Sequence, residues 1–164
     1  MVEDFLLDIE IVGGPTTREK DGLTMGSRNV FLGDRRRKVA CVLYRALRAA
    51  EEMYMAGTLQ TTKIMAAARE VIRSEEAKQE ALGPAQRARF TIEFLKLADP
   101  KSLEEVEEVD PRIGAMVSGS IVMLPLDKEP GPEGENRGLN DGNDKIRMID
   151  YVVLKPWAPL ITNV

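Results

Sequence analysis

Apolar and polar residues alternate along 8–12 (DIEIV), a two-residue period that predicts a short strand, and Gly13-Gly14-Pro15 turn the chain out of it. A polar stretch follows, TTREKDGLTMGSRN, in which Gly22 and Gly26 give the backbone freedom. It closes on Val30-Phe31-Leu32, and Asp34 is placed to cap the next helix. From residue 35 to about residue 56 the apolar positions are Val39, Val42, Leu43, Ala46, Leu47, Ala50, Met53 and Tyr54. That three-to-four spacing predicts one amphipathic helix, stopped by Gly57. A second helix is predicted to start at Thr58 or Thr61 and run through Ile64, Ala68, Val71 and Ile72. The helix-prone stretch 74–89 is expected to break at Gly83-Pro84.

Three strands are predicted next. Residues 90–97 (FTIEFLKL) alternate, 116–124 are β-branched, and 146–154 (IRMIDYVVL) alternate again. Residues 103–108 predict one acidic helical turn. Residues 127–144 hold two prolines, four glycines and three asparagines, and read as a solvated insertion without regular structure. The tail 157–164, with Trp157, is expected to run over the surface. The order of elements predicts an α+β fold, helices followed by a three-stranded antiparallel sheet. A single leading strand is not stable alone, so the first strand and loop read as the end of something larger.

Composition narrows the function. The chain has 164 residues with 43% apolar and 30% charged positions, enough for one soluble core, and no apolar run long enough to cross a bilayer. The first ten residues carry four acids and no basic start, which argues against a secretory or mitochondrial leader and for the cytoplasm. The one cysteine, Cys41, cannot form an internal disulfide and reads as a small packing residue. Histidine is absent, so no imidazole base or histidine metal ligand comes from this chain.

Charge is unevenly spread behind a net value of −4. Residues 18–48 hold nine basic and three acidic groups, a segment that reads as a solvated helix face or as a partner for a phosphate. Residues 99–110 hold six acids and one lysine. Their even spread reads as a solvated face, and no metal site is assigned. The run Arg35-Arg36-Arg37-Lys38 lacks interleaved aromatics, so nucleic-acid binding is not expected.

The run VGGPTTREKDGLTMGSRNVFL (12–32) closely resembles a signature of the pantothenate synthetase family, I-V-G-x-P-T-x-R-E-x-D-G-L-A-M-S-S-R-N-x-Y-L. Residues 38–57 resemble that family's next helix. Residues 95–106 (LKLADPKSLEEV) resemble its V-D-P-x-T-L-x-x-V segment, and 147–154 its closing R-L-I-D-N-x-x-L.

The resemblance implies an ATP-dependent condensation of pantoate with β-alanine through pantoyl-adenylate, with magnesium arriving on ATP. It implies that 1–32 are the last strand and phosphate-gripping loop of a Rossmann-like nucleotidyl-transferase domain. On that view 33–156 are the C-terminal α+β lid with the insertion 127–144. It also implies the site residues. Met25, Gly26, Ser27 and Arg28 match the loop that holds the ATP phosphates, with Ser27 and Arg28 aiding catalysis. Thr17 matches a position whose backbone lies near the adenine. Gly26 departs from the family, which has a serine there. Arg18, Lys20 and Asp21 match the motif and read as structural or as supports of the loop.

The family's histidine motif, its substrate-binding glutamines and its lysine-aspartate loop would lie upstream of Met1. The expectation is a fragment, a split subunit or a misassigned start, inactive alone and completed by an N-terminal half or as a homodimer. The alternative is a non-catalytic interaction module derived from the same domain.

Overall fold

The structure, a computed structural model, describes residue 2 and residues 5–158. Within it lie a 3-10 turn, Ser27–Phe31, then α1 (Gly33–Ala40), α2 (Val42–Met55), α3 (Thr61–Glu80), β1 (Phe90–Ala98), β2 (Ala115–Met123) and β3 (Ile146–Leu154). The sheet has the order β1-β2-β3 and both pairings are antiparallel. A bulge separates Ile92 from Phe94. The α+β class and the three strands, two read from alternation and one from β-branched residues, are therefore as expected from the sequence.

One face of the sheet carries the core. Along β2 the residues Ala115, Val117, Ile121 and Met123 are fully buried, on one pleated face of alternating positions. They meet α2 through Val42, Leu43, Ala46, Leu47 and Ala50, and α2 in turn packs on Ile64, Met65, Ala68 and Ile72 of α3. Gly119 sits under this contact: a Cβ there would lie 2.9 Å from the Cδ1 atoms of Leu43 and Leu95, so a larger residue would make those side-chain ends shift. Gly57 ends α2 with φ +92 and a Schellman pair, Gly57 N–H to Tyr54 O (2.9 Å) and Thr58 N–H to Met53 O (3.1 Å).

Several expectations change. Residues 8–12 form no strand, and Ile9, Ile11 and Val12 stand exposed, because no described strand lies beside them to pair with. The predicted single helix over 35–56 is two, turned at Cys41. The turn lets α1 bury Arg36 and Val39 while α2 addresses the sheet. Asp34 is not the cap. Leu32 holds that position, and the Asp34 carboxylate accepts the Asn136 N–H at 3.1 Å instead. Residues 103–108 are not helical, because their backbone is used by neighbours: Ala98 bridges Glu105, and Thr61 N–H donates to Glu107 O at 3.0 Å. The second helix starts at Thr61 and stops at Glu80, ahead of Gly83-Pro84.

The segment 127–144 has no helix or strand, yet it is not a free insertion. The Glu135 side chain is 6% exposed and accepts from Arg35, Asp127 accepts from Arg87 (2.7 Å) and Arg89 (3.0 Å), and Leu139 N–H donates to Val30 O (3.2 Å). Charge pairs and positive-φ glycines hold it where apolar patterning is absent. Trp157 lies against Tyr54, ring centroids 6.2 Å apart, and its backbone N–H donates to Pro111 O. The rest of the expected tail, 159–164, lies outside the described residues.

Candidate functional site

Residues 17–25 form a small hairpin. Arg18 bridges Thr24, Glu19 N–H donates to Leu23 O (2.8 Å), and Met25 N–H donates to Thr17 O (3.0 Å). Gly22 turns it with φ +88. Leu23 plugs into the core at 4% exposure, and Leu32 does so beyond the 3-10 turn.

Arg18, Glu19 and Asp21 of the motif fix this hairpin, whereas Lys20 is exposed. Arg18 forks onto Asp150 of β3 with 2.5 and 2.9 Å contacts, and also reaches Gly22 O (3.1 Å) and Thr24 Oγ1 (3.0 Å). Its guanidinium lies 3.9 Å from the centre of the Tyr44 ring. The bond to Asp150 raises the Arg18 pKa against the opposing effect of burial. Glu19 accepts from Arg37 (2.8 Å) and Asn29 (3.1 Å), and these bonds lower its carboxyl below the ordinary range. Asp21 accepts from Arg37 (3.0 Å) and from Leu23 N–H (3.2 Å).

Three cations of the run Arg35-Arg36-Arg37-Lys38 are spent in the same way, while Lys20, Arg28, Lys38, Arg45 and Arg48 of the wider basic segment are exposed. Arg35 is paired with Glu135. Arg36, 1% exposed, donates to the carbonyls of Phe31, Leu32 (3.0 Å), Gly142 (3.4 Å) and Asp144 (2.7 Å). Burial lowers its pKa. Of the four cations only Lys38 is exposed.

Within residues 16–32 the exposed positions are Thr17, Lys20, Asp21, Val30 and the span 25–28. The hairpin brings Thr17 beside Met25. Gly26 has an extended backbone, φ −162, and the nearest atom to a Cβ there, Asn29 Oδ1, is 3.9 Å away. Arg28 lines a cleft of about 410 Å3 with Phe31, Asp144, Lys145, Ile146 and Arg147. Lys145 and Arg147 had no assigned role; their signal in the sequence was two cations two apart at the head of the third strand. Among the described residues no group of three or more histidine, cysteine, aspartate or glutamate side chains is placed to hold a metal. No described helix is long and apolar enough to cross a membrane.

The sequence signature is therefore one folded unit: a braced hairpin, an exposed tip, and a tie to the closing strand. Residues 1–153 match the family model described as pantoate-beta-alanine ligase. The chain belongs to that family. Pantothenate synthetase of Chloroflexus aggregans is 39% identical over 121 residues, which cover 74% of this chain and 39% of the relative. That of Desulfatibacillum aliphaticivorans is 39% identical over 109 residues, 66% of this chain and 34% of the relative. The crystal structure of pantothenate synthetase from Thermus thermophilus superposes with a TM-score of 0.63 at 28% identity, covering 94% of this chain and 44% of that one. The chain thus spans about two fifths of the length of the curated ligases it matches.

Proposed function

We propose that the chain is the C-terminal part of a pantoate–β-alanine ligase, supplying the lid and the ATP-phosphate loop for ATP-dependent condensation through pantoyl-adenylate. The observation that carries this reading is the division of labour within the signature. Arg18, Glu19, Asp21 and Asn29 are consumed in bracing, while Met25, Gly26, Ser27 and Arg28 are left outward with Arg28 opening on a cationic cleft.

The chemistry follows from those groups. Attack of a carboxylate on the α-phosphate builds negative charge, and the pyrophosphate leaves with more. Arg28 forks onto phosphate oxygens, the Ser27 hydroxyl donates, and the Gly26 amide adds a backbone donor. One fixed donor of this kind contributes about 3 kcal/mol to the barrier reduction. Thr17, beside Met25, offers its backbone to the adenine. Magnesium arrives with ATP. In this reading residues 1–32 complete a nucleotide-binding domain, 33–156 form the lid, and the working enzyme is cytoplasmic.

The test is pantothenate formation from pantoate, β-alanine and Mg-ATP, with the chain alone and with the N-terminal half of a related synthetase. Product only in the mixture, lowered about a hundredfold in kcat/KM by Arg28→Ala, is expected. Product from the chain alone overturns its role as a part. No product in the mixture, with both halves folded, overturns the ligase reading in favour of a non-catalytic module.

A further inference from the structure

The head of β3 carries charge that the signature does not account for. Ile146 is buried at 5% exposure, so Lys145 and Arg147 on either side of it stand outward, and both are exposed. They share one cleft with Arg28, although 117 residues separate Arg28 from Lys145 (145 − 28 = 117). The walls are fixed by one buried group: Arg36 donates to the Phe31 carbonyl behind Arg28 and to the Asp144 carbonyl (2.7 Å) before Lys145.

The lining is three cations against one carboxylate, in a chain whose net charge is −4. That carboxylate, Asp144, accepts from the Asn140 side-chain amide. Every arginine except Arg28 and Arg69 engages a carboxylate or carbonyl among the described residues. Arg147 meets Glu93 (2.5 Å) from one side and keeps 57% of its side chain exposed. Lys145 has no ion pair among the described residues. Two uncommitted cations and one half-committed cation, held in a concave site, form an anion receptor rather than a solvated patch.

We infer that Lys145 and Arg147 bind the nucleotide's phosphate chain together with Arg28, making the head of β3 a second phosphate-binding element. This rests on the ligase reading above and adds two residues to it. The ligand class is a linear polyphosphate, whose several negative charges answer three cations from two segments.

The test is a nuclear magnetic resonance titration of the 15N-labelled chain with inorganic tripolyphosphate at physiological ionic strength, a readout sensitive to weak binding. Backbone amide shifts at 26–28 and at 144–147 are expected, with affinity about tenfold weaker in Lys145→Gln and in Arg147→Gln, and unchanged in Lys63→Gln. Shifts confined to 26–28, or wild-type affinity in both cleft variants, overturn this inference and leave the ligase reading standing. Cleft binding with no product in the two-half assay overturns the ligase reading and keeps the receptor. Silence at both segments, with no product, overturns both.

Discussion

Arg18 and Asp150 lie 132 positions apart and form a two-pronged ion pair, with contacts of 2.5 and 2.9 Å. Each belongs to a different stretch of family resemblance, one to the loop signature and one to the closing strand. The pair therefore joins the two. It also explains why the exposed tip of the loop has a defined position over the sheet edge, since Arg18 at once bonds Gly22 and Thr24 within the hairpin.

Asp150→Asn is expected to destabilise the chain by about 2 kcal/mol, below the cost of breaking a fully buried pair because Arg18 keeps some contact with water. The urea midpoint measures this. A double-mutant cycle with Arg18→Met should show coupling; additive losses would mean that the two groups act separately.

Arg36 lacks a carboxylate partner and instead ties four carbonyls from two segments. Arg36→Met removes the side-chain donor from all four, leaving Gly142 O only its bond from Leu126 N–H (2.9 Å), and a loss of about 3 kcal/mol is expected. Amide hydrogen exchange should accelerate at both 31–33 and 142–145. Acceleration in only one segment would show that Arg36 does not couple them.

Gly138 has φ +90, and a Cβ there would lie 2.2 Å from the Phe31 carbonyl. Backbone meets backbone at this point, so no side chain can yield. Gly138→Ala is expected to cost more than about 2 kcal/mol, exceeding the usual penalty of about 1 kcal/mol for a left-handed alanine. Gly134 also has positive φ but open space around it, so Gly134→Ala should cost only the smaller amount in the same thermal melts.

These contacts show where the sequence was legible. β3 was readable because alternate burial leaves a period of two, and it runs over the predicted residues, whereas β2 was readable from its β-branched residues. The α1–α2 turn was hidden, since Val39 and Val42 keep a helical spacing through Cys41 while the axis changes. The anchoring of 127–144 was hidden for another reason. It depends on Arg35, Arg36, Arg87 and Arg89 meeting distant acids and carbonyls, and pairings of that kind leave no local period. At the proposed site, the motif singled out Met25 to Arg28, but the cleft needed the fold to bring Arg28 to Lys145 and Arg147.

Asp110 offers a pH test. The Arg112 guanidinium and the Arg112 N–H hold its carboxyl at about 2, below the ordinary 3.8. A depressed folded pKa contributes stability above pH 3.8 that is lost as the pH falls toward 2. Carbon-detected titration should give this midpoint. In Arg112→Ala, which keeps the backbone N–H, it should move part of the way up toward 3.8, and a midpoint that stays near 2 would assign the depression to that N–H rather than to the guanidinium.

Gly26 is the family departure, and the backbone does not demand it. Its φ of −162 suits any residue, and the nearest atom to a Cβ is 3.9 Å away. Gly26→Ser is therefore expected to leave stability within about 0.5 kcal/mol of the parent, as for other exposed positions. The restored hydroxyl adds a donor beside Ser27, so tripolyphosphate should bind several-fold tighter by about one net hydrogen bond. A destabilised serine variant would mean that the loop needs glycine for a reason its geometry does not contain. A stable variant with unchanged affinity would mean that a hydroxyl at position 26 does not reach the bound polyphosphate.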